Sequence, residues 1–161
     1  MTMAAGGTPL DGLQARLVTT IGWEFSDLIR YDSPTGRRVA WRIARGRAEG
    51  PSLSADVADQ GGELLVLRPD GTLELDSRMM WRLDDGRLVY WRARGIVRST
   101  PQAATDFFAT GILAPQSILL TPYFDTPPDD LAWLTRHVFV AVGELSHTGA
   151  TLRLFAVGGE E

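Results

Sequence analysis

The side chains with the most chemical potential in this chain are a few acids and arginines set among aromatic residues. Glu63 and Arg78 fall where two β-patterned runs face each other, and a carboxylate–guanidinium pair can position a substrate carboxylate or polarise a carbonyl. The same pair could simply hold strand register, at about 0.2–1 kcal/mol. Arg92 and Ser77 interrupt an otherwise apolar face, where a guanidinium must meet an anion or reach the rim. Asp125 and Tyr123 lie in a proline-bounded stretch. A carboxylate in an aromatic-lined cavity is pushed toward neutrality, which suits proton transfer, although Asp125 could equally cap a turn beside Thr126 and Pro127. Trp23, Trp41, Trp81, Trp91 and Trp133, with Tyr90, could wall a site for a flat or polyene ligand, or fill a core. His137 opens a strand and reads as structural, and His147 sits in a turn facing solvent.

Missing residue types remove whole chemistries. The sequence has no Cys, which excludes disulfides, thiolate nucleophiles and cysteine-rich metal sites. All 16 cationic residues are Arg, and without Lys there is no Schiff-base chemistry. Two His make a His-rich metal centre untenable. No phosphate loop, nucleotide fingerprint or Ser-His-Asp spacing is present. The expectation is therefore a protein without metal or cofactor. A net charge of −4 with no basic block argues against nucleic acid. The apolar runs are shorter than the roughly 20 residues that span a bilayer, and Met1 to Pro9 does not resemble a signal peptide. A cytoplasmic location and no membrane partner are expected.

The elements that must position these residues are strands. Pro69-Asp70-Gly71 and Asp84-Asp85-Gly86 each separate two β-patterned runs, and Asp-Gly is a strong two-residue hairpin signal. Loops of Asp70-Gly71 and Asp85-Gly86 imply strands over Glu63–Arg68, Thr72–Leu83 and Arg87–Val97. In the middle strand Leu73, Leu75, Ser77, Met79, Trp81 and Leu83 share one face. This register sets Tyr90 beside Trp81, Arg92 beside Met79, Leu64 beside Ser77, and Glu63 beside Arg78 on the opposite face. Leu64, Val66, Met79, Trp81, Leu88 and Tyr90 then look inward. Further strands are expected over Gln14–Gly22, Arg38–Ala44, Ser52–Ala58, Arg136–Leu145 and Ala150–Val157. Thr100 and Pro101 start one helix through Ala109, stopped by Gly111. Ala114–Asp130 reads as a long loop or irregular strand, of the kind that forms lids. Residues 1–9 read as a disordered lead-in, 10–158 as one all-β antiparallel barrel domain, and 159–161 as a tail.

An ordered set of short motifs carries a resemblance. Glu49-Gly50-Pro51, Gln60-Gly61-Gly62-Glu63, Arg68-Pro69-Asp70-Gly71-Thr72, Leu75-Asp76-Ser77-Arg78 and Asp84-Asp85-Gly86 come in order, followed by Pro122-Tyr123-Phe124-Asp125-Thr126 and Ala132-Trp133-Leu134. Together they resemble the domain-of-unknown-function 3237 family. That resemblance implies a lipocalin-like β-barrel of small-molecule size and no settled activity. The departures are specific. Glu63-Leu64 stands where the family usually has Asp-Trp, and Arg78-Met79 where it has Arg-Tyr. Asp125 replaces Glu, Thr135 replaces Asn, and Arg45-Gly46 replaces Gly-Gly. With Leu64 and Met79 both inward, this reads as a lumen reshaped for a particular ligand around a retained Glu63–Arg78 strut.

These observations point to a barrel that binds a small apolar, aromatic or polyketide-like molecule. As an enzyme it would be a cofactor-independent isomerase, cyclase or lyase, with Asp125, Glu63 and Arg78 as catalytic candidates. Substrate would meet Arg92, Ser77, Met79, Trp81, Tyr90, Leu64, Tyr123 and Trp133. A non-catalytic carrier with the same cavity, or a domain with a filled lumen, remain alternatives, and a homodimer is compatible with either.

Overall fold

The computed structural model describes residues 14–57 and 61–158; the expected lead-in and tail lie outside the described residues. Nine strands run in chain order: β1 (Ala15–Ser33), β2 (Gly36–Glu49), β3 (Ala55–Val57), β4 (Gly61–Leu67), β5 (Leu73–Leu83), β6 (Leu88–Arg98), β7 (Gln116–Asp125), β8 (Val138–Ser146) and β9 (Gly149–Val157). Every pairing is antiparallel. β3 and β4 share one position between β2 and β5, and β1 pairs with both β2 and β9, so the sheet closes into a ring. Closure removes the free edges that an open sheet would expose.

Helix α1 (Pro101–Thr110) starts as its sequence dictates. Thr100 Oγ1 accepts from the Ala103 N–H at 3.1 Å, Pro101 occupies the first turn, and Gly111 ends the helix at φ 78°. Its buried face of Ala104 and Phe107 covers the barrel end that holds the β4–β5 turn. At the opposite end, a 3-10 turn (Asp130–Thr135) buries Leu131 and Leu134. Arg87 ties this turn to the β5–β6 hairpin through Asp85, Asp129 and Asp130.

The two central hairpins correct the expected register. Arg68 N–H bonds to Thr72 O at 2.9 Å, and Leu83 N–H to Arg87 O at 2.9 Å, so each loop holds three residues. Gly71 (φ 88°) and Gly86 (φ 89°) take the left-handed position that such a loop requires after a type I turn. One extra loop residue shifts the pairing by one and turns the partner strand over. Strand β5 keeps its face, and Leu73, Leu75, Ser77, Met79, Trp81 and Leu83 are all buried. Strands β4 and β6 are reversed. Glu63 pairs with Ser77 and points inward, Gly62 pairs with Arg78, and Met79 pairs with Trp91. Leu64 is 43% exposed, which ends the idea that a lumenal aromatic was lost at that position.

The stretch expected as a long loop or lid is mostly strand. β7 lies between β6 and β8 and buries Ile118, Leu120 and Phe124. Pro122, which could not serve a ladder on both sides, lies beyond Leu120, where the β7–β8 pairing has ended. The first strand is longer than expected. β1 continues past Glu24 to Ser33 as an arm paired with β2, on which Leu28 and Phe25 pack against the core.

Candidate functional site

Three polar or charged side chains are fully buried among the described residues: Thr19, Glu63 and Ser77. Two of them are neighbours. Glu63 on β4 is flanked by Trp41 on β2 and by Ser77 on β5, and it is 1% exposed. The inward row through Glu63 continues as Ser77, Ala93 and Pro122. Its bulk therefore falls to a hydroxymethyl and a methyl where the next row carries Met79, Trp91 and Phe124. Gly61 and Gly62 bring β4 close to its neighbours. A Cβ on Gly61 would lie 2.7 Å from Met79 Cβ and 2.9 Å from Arg78 O. Gly61→Ala is therefore expected to destabilise the barrel by about 1–3 kcal/mol through overpacking, as read from a denaturant midpoint.

Neither Glu63 oxygen has a hydrogen-bond partner. Burial penalises the charged form and pushes this carboxyl from 4.5 up to about 8. The Ser77 hydroxyl across the ladder opposes that shift without reaching hydrogen-bond geometry. That hydroxyl instead accepts from Trp91 Nε1 at 3.3 Å. At neutral pH Glu63 thus holds its proton, which suits a general acid more than a fixed anion.

The interior aromatic rings form two groups. Trp41 stacks on Phe25 at 4.4 Å and meets Phe107 of α1 at 5.0 Å. Trp91 stacks on Trp81 at 5.1 Å, touches Phe124 at 5.5 Å and meets Trp23 edge-on at 6.5 Å. Trp23 belongs to β1, on the far side of the ring of strands from β6, so that contact crosses the lumen. The indole N–H groups of Trp23 and Trp81 are buried and unpartnered. An unpaired buried donor or acceptor costs about 1–3 kcal/mol, and native interiors leave few of them without a functional reason. Four such atoms, two indole donors and two carboxyl oxygens, lie in the packed interior among the described residues.

Other candidates separate from this lumen. Arg78, Arg92 and Arg94 converge on Asp76 from outside, at 3.2, 3.8 and 3.4 Å. The proposed Glu63–Arg78 pair therefore does not exist, because the hairpin register puts its members on opposite faces. Tyr90 is half-buried on the outer face, beside an Arg78 guanidinium raised first by Asp76 and then by Tyr90. Tyr123 is 60% exposed and Asp125, on the same outward side of β7, is exposed. A lumenal acid–base role is not open to Asp125 in this geometry. Trp133 packs at the 3-10 end against His137 and Phe139, with Arg16 over its ring at 5.3 Å. His137 Nδ1 lies 2.9 Å from Trp133 O, and His147 Nδ1 lies 2.9 Å from Leu113 O. Of the expected site residues, Glu63, Ser77, Met79 and Trp81 share the lumen; Trp23, Trp41 and Trp91, singled out only as aromatic residues, join them.

No group of three potential metal ligands occurs among the described residues, and none of their helices is long and apolar enough to cross a membrane. A groove of about 630 Å3 lies on the wall beside Trp23, lined by Gly46, Val57 and the charged residues Glu24, Arg45, Arg47 and Asp56.

A family model described as "Protein of unknown function (DUF3237)" matches residues 14–157. A UPF0311 protein of Clostridium acetobutylicum is 29% identical over 133 residues, covering 81% of this chain and 84% of the relative. Solved structures share the fold. A protein of unknown function from the same species superposes with a TM-score of 0.82 at 23% identity, over 92% of this chain and 99% of that one. A β-barrel-like protein from Acinetobacter baumannii gives 0.76 at 19% identity, over 96% and 99%. An enzyme from Penicillium herquei gives 0.62 at 14% identity, over 92% and 98%.

Proposed function

We propose, for a chain that belongs to the DUF3237 family, that the barrel lumen binds a small apolar molecule and that Glu63 transfers protons to and from it. The single observation that carries this reading is a fully buried carboxyl with both oxygens unpartnered. The reaction class is a cofactor-independent isomerisation, cyclisation or elimination of an aromatic or polyketide-like compound. In an isomerisation, neutral Glu63 gives its proton to one end of a double bond, and the carboxylate removes a proton from the carbon beyond its other end as the double bond shifts. In an elimination, the same proton goes to a hydroxyl that departs as water, and the carboxylate takes the adjacent C–H proton. Either cycle restores the carboxyl, so one acidic group suffices. Trp81, Trp91 and Phe124 pack on one another with none of them exposed, so a guest enters only by parting these rings. The Penicillium herquei structure is that of an enzyme, which is compatible with catalysis on this scaffold.

A panel of aromatic lactones, enones and polyenes tests the proposal. Conversion by the wild type that is lost in Glu63→Gln supports it; conversion unchanged in Glu63→Gln overturns it. Asp125→Asn is expected to leave the rate within about twofold, since that side chain faces away from the lumen. A second reading, a carrier with the same site, is favoured by the unpartnered Trp23 and Trp81 donors, which serve binding without chemistry. Tight binding with no turnover across the panel would select it.

A further inference from the structure

We propose that the outer wall of the barrel binds a small phosphomonoester. Its phosphate dianion sits on Arg78, Arg92 and Arg94, and its apolar body lies in the groove beside Leu64 and Ile96. This site is separate from the lumen and stands without the reading above.

Three guanidiniums here share one carboxylate. Strand pairing sets Arg78 directly opposite Arg92, and Arg94 opposite Asp76; like charges facing each other across a ladder are destabilising. Asp76 meets all three, at 3.2 Å from Arg78 Nε, 3.4 Å from Arg94 Nε and 3.8 Å from Arg92 Nη2. The hydrogen bonds among these use one N–H each of Arg78 and Arg94, and a guanidinium carries five. Acids are not scarce, since the chain has 20 Asp and Glu against 16 Arg. Elsewhere the ratio runs the other way: Arg87 meets Asp85, Asp129 and Asp130. Arg47 and Arg68 each meet a pair of carboxylates. A phosphate monoester carries close to two negative charges at neutral pH. That matches the excess of three guanidiniums over one carboxylate, and its oxygens suit forked N–H donors.

The cluster is open to solvent and adjoins an observed space. The side chains of Arg78, Arg92 and Arg94 are 57, 39 and 70% exposed. Gly62, opposite Arg78, presents no side chain to cover it. A groove of about 450 Å3 is lined by Arg94 and Asp76, by Leu64 and Val66 of β4, and by Ile96 of β6. Glu74, also in its lining, carries its own partner, Arg68 at 3.4 Å. Leu64 pairs with Asp76, which pairs with Arg94, so an exposed apolar side chain stands in the same row as the charges. An alkyl or aryl group laid there leaves water while the phosphate stays on the arginines.

Titration of the full chain at neutral pH with phenyl phosphate, inorganic phosphate and benzyl alcohol tests the proposal. The Nε–H resonances of Arg78, Arg92 and Arg94 report the anion, Leu64 methyls report the groove, and the Met79 methyl reports the lumen. Both phosphates are expected to move the arginine signals. Phenyl phosphate alone should move Leu64 and bind at least about threefold tighter than inorganic phosphate. Benzyl alcohol should leave the arginine signals unchanged. Arg92→Gln and Arg94→Gln should each weaken phenyl phosphate by about tenfold. Arg153→Gln removes the same charge from β9, where Arg153 lies over Phe155 at 5.6 Å, and should change affinity by less than about twofold. Equal losses in Arg94→Gln and Arg153→Gln would reveal diffuse attraction and overturn the site. Equal affinity for the two phosphates would overturn the groove. Arginine signals unmoved by either phosphate, or a shift confined to Met79, would overturn the whole proposal while leaving the role of Glu63 standing.

Discussion

Replacing Glu63 with glutamine is expected to lower turnover of any compound the wild type converts by about 10²–10⁴-fold, the usual contribution of a positioned acid–base group. The amide keeps the size and a hydrogen-bonding capacity but cannot release or regain a proton at neutral pH. Binding should therefore persist while the chemical step fails, a fall in kcat with KM little changed. The wild-type rate should also decline as pH rises through about 8, where Glu63 loses the proton it must donate. A profile that stays flat across that pH would assign the chemistry elsewhere.

The same substitution should change how stability depends on pH. In the unfolded chain Glu63 releases its proton near 4.5, and in the barrel near 8. Between those values the native state holds a proton that the unfolded state has lost, so unfolding free energy falls as pH rises. Below and above the window the two states match at this group, and its contribution is flat. The full span is of the order of 5 kcal/mol, an upper bound because relaxation around a buried charge reduces it. Glu63→Gln should lack this decline and be the more stable protein at pH 9. Urea midpoints at pH 5, 7 and 9 for both proteins measure it.

Much of the fold was legible because its signals are local. Alternation from Leu73 to Leu83 identified the inward face of β5, and Thr100, Pro101 and Gly111 defined the helix through caps that act within a few residues. The site was harder to read because it depends on a count of one. With two-residue loops, Glu63 and Trp91 look outward and Arg92 looks inward; with three-residue loops each of those reverses. Two cues in the sequence favoured the longer loop. Pro69 suits the first central position of a type I turn, which a three-residue hairpin contains. The longer loop also removes Arg92, Arg94 and Arg98 from the inner face and replaces them with Trp91, Ala93 and Val97, a cleaner separation of charge from core. Strand β4 gave no arbitration, since Leu64 and Val66 on one face look as apolar as Leu65 and Leu67 on the other.

Long-range features left weaker traces. Strand β7 was hidden by Pro122 and the prolines that flank it, because the tolerance of Pro122 comes from where the β8 pairing stops. The meeting of Trp23 and Trp91 across the barrel depends on closure of the whole ring, which no short stretch encodes. The burial of Glu63 follows from both facts, the turn count and the closure. The carboxyl expected as half of a surface strut is instead the one acid buried in the interior among the described residues.

The most direct test is a pH titration of the Glu63 side-chain carboxyl carbon in the intact protein, labelled with carbon-13 and assigned with Glu63→Gln. A midpoint near 8 is the result expected of an acid enclosed without partners. A midpoint near 4.5 would mean that water or a counter-charge reaches this carboxyl, and the lumen would lose its proton donor.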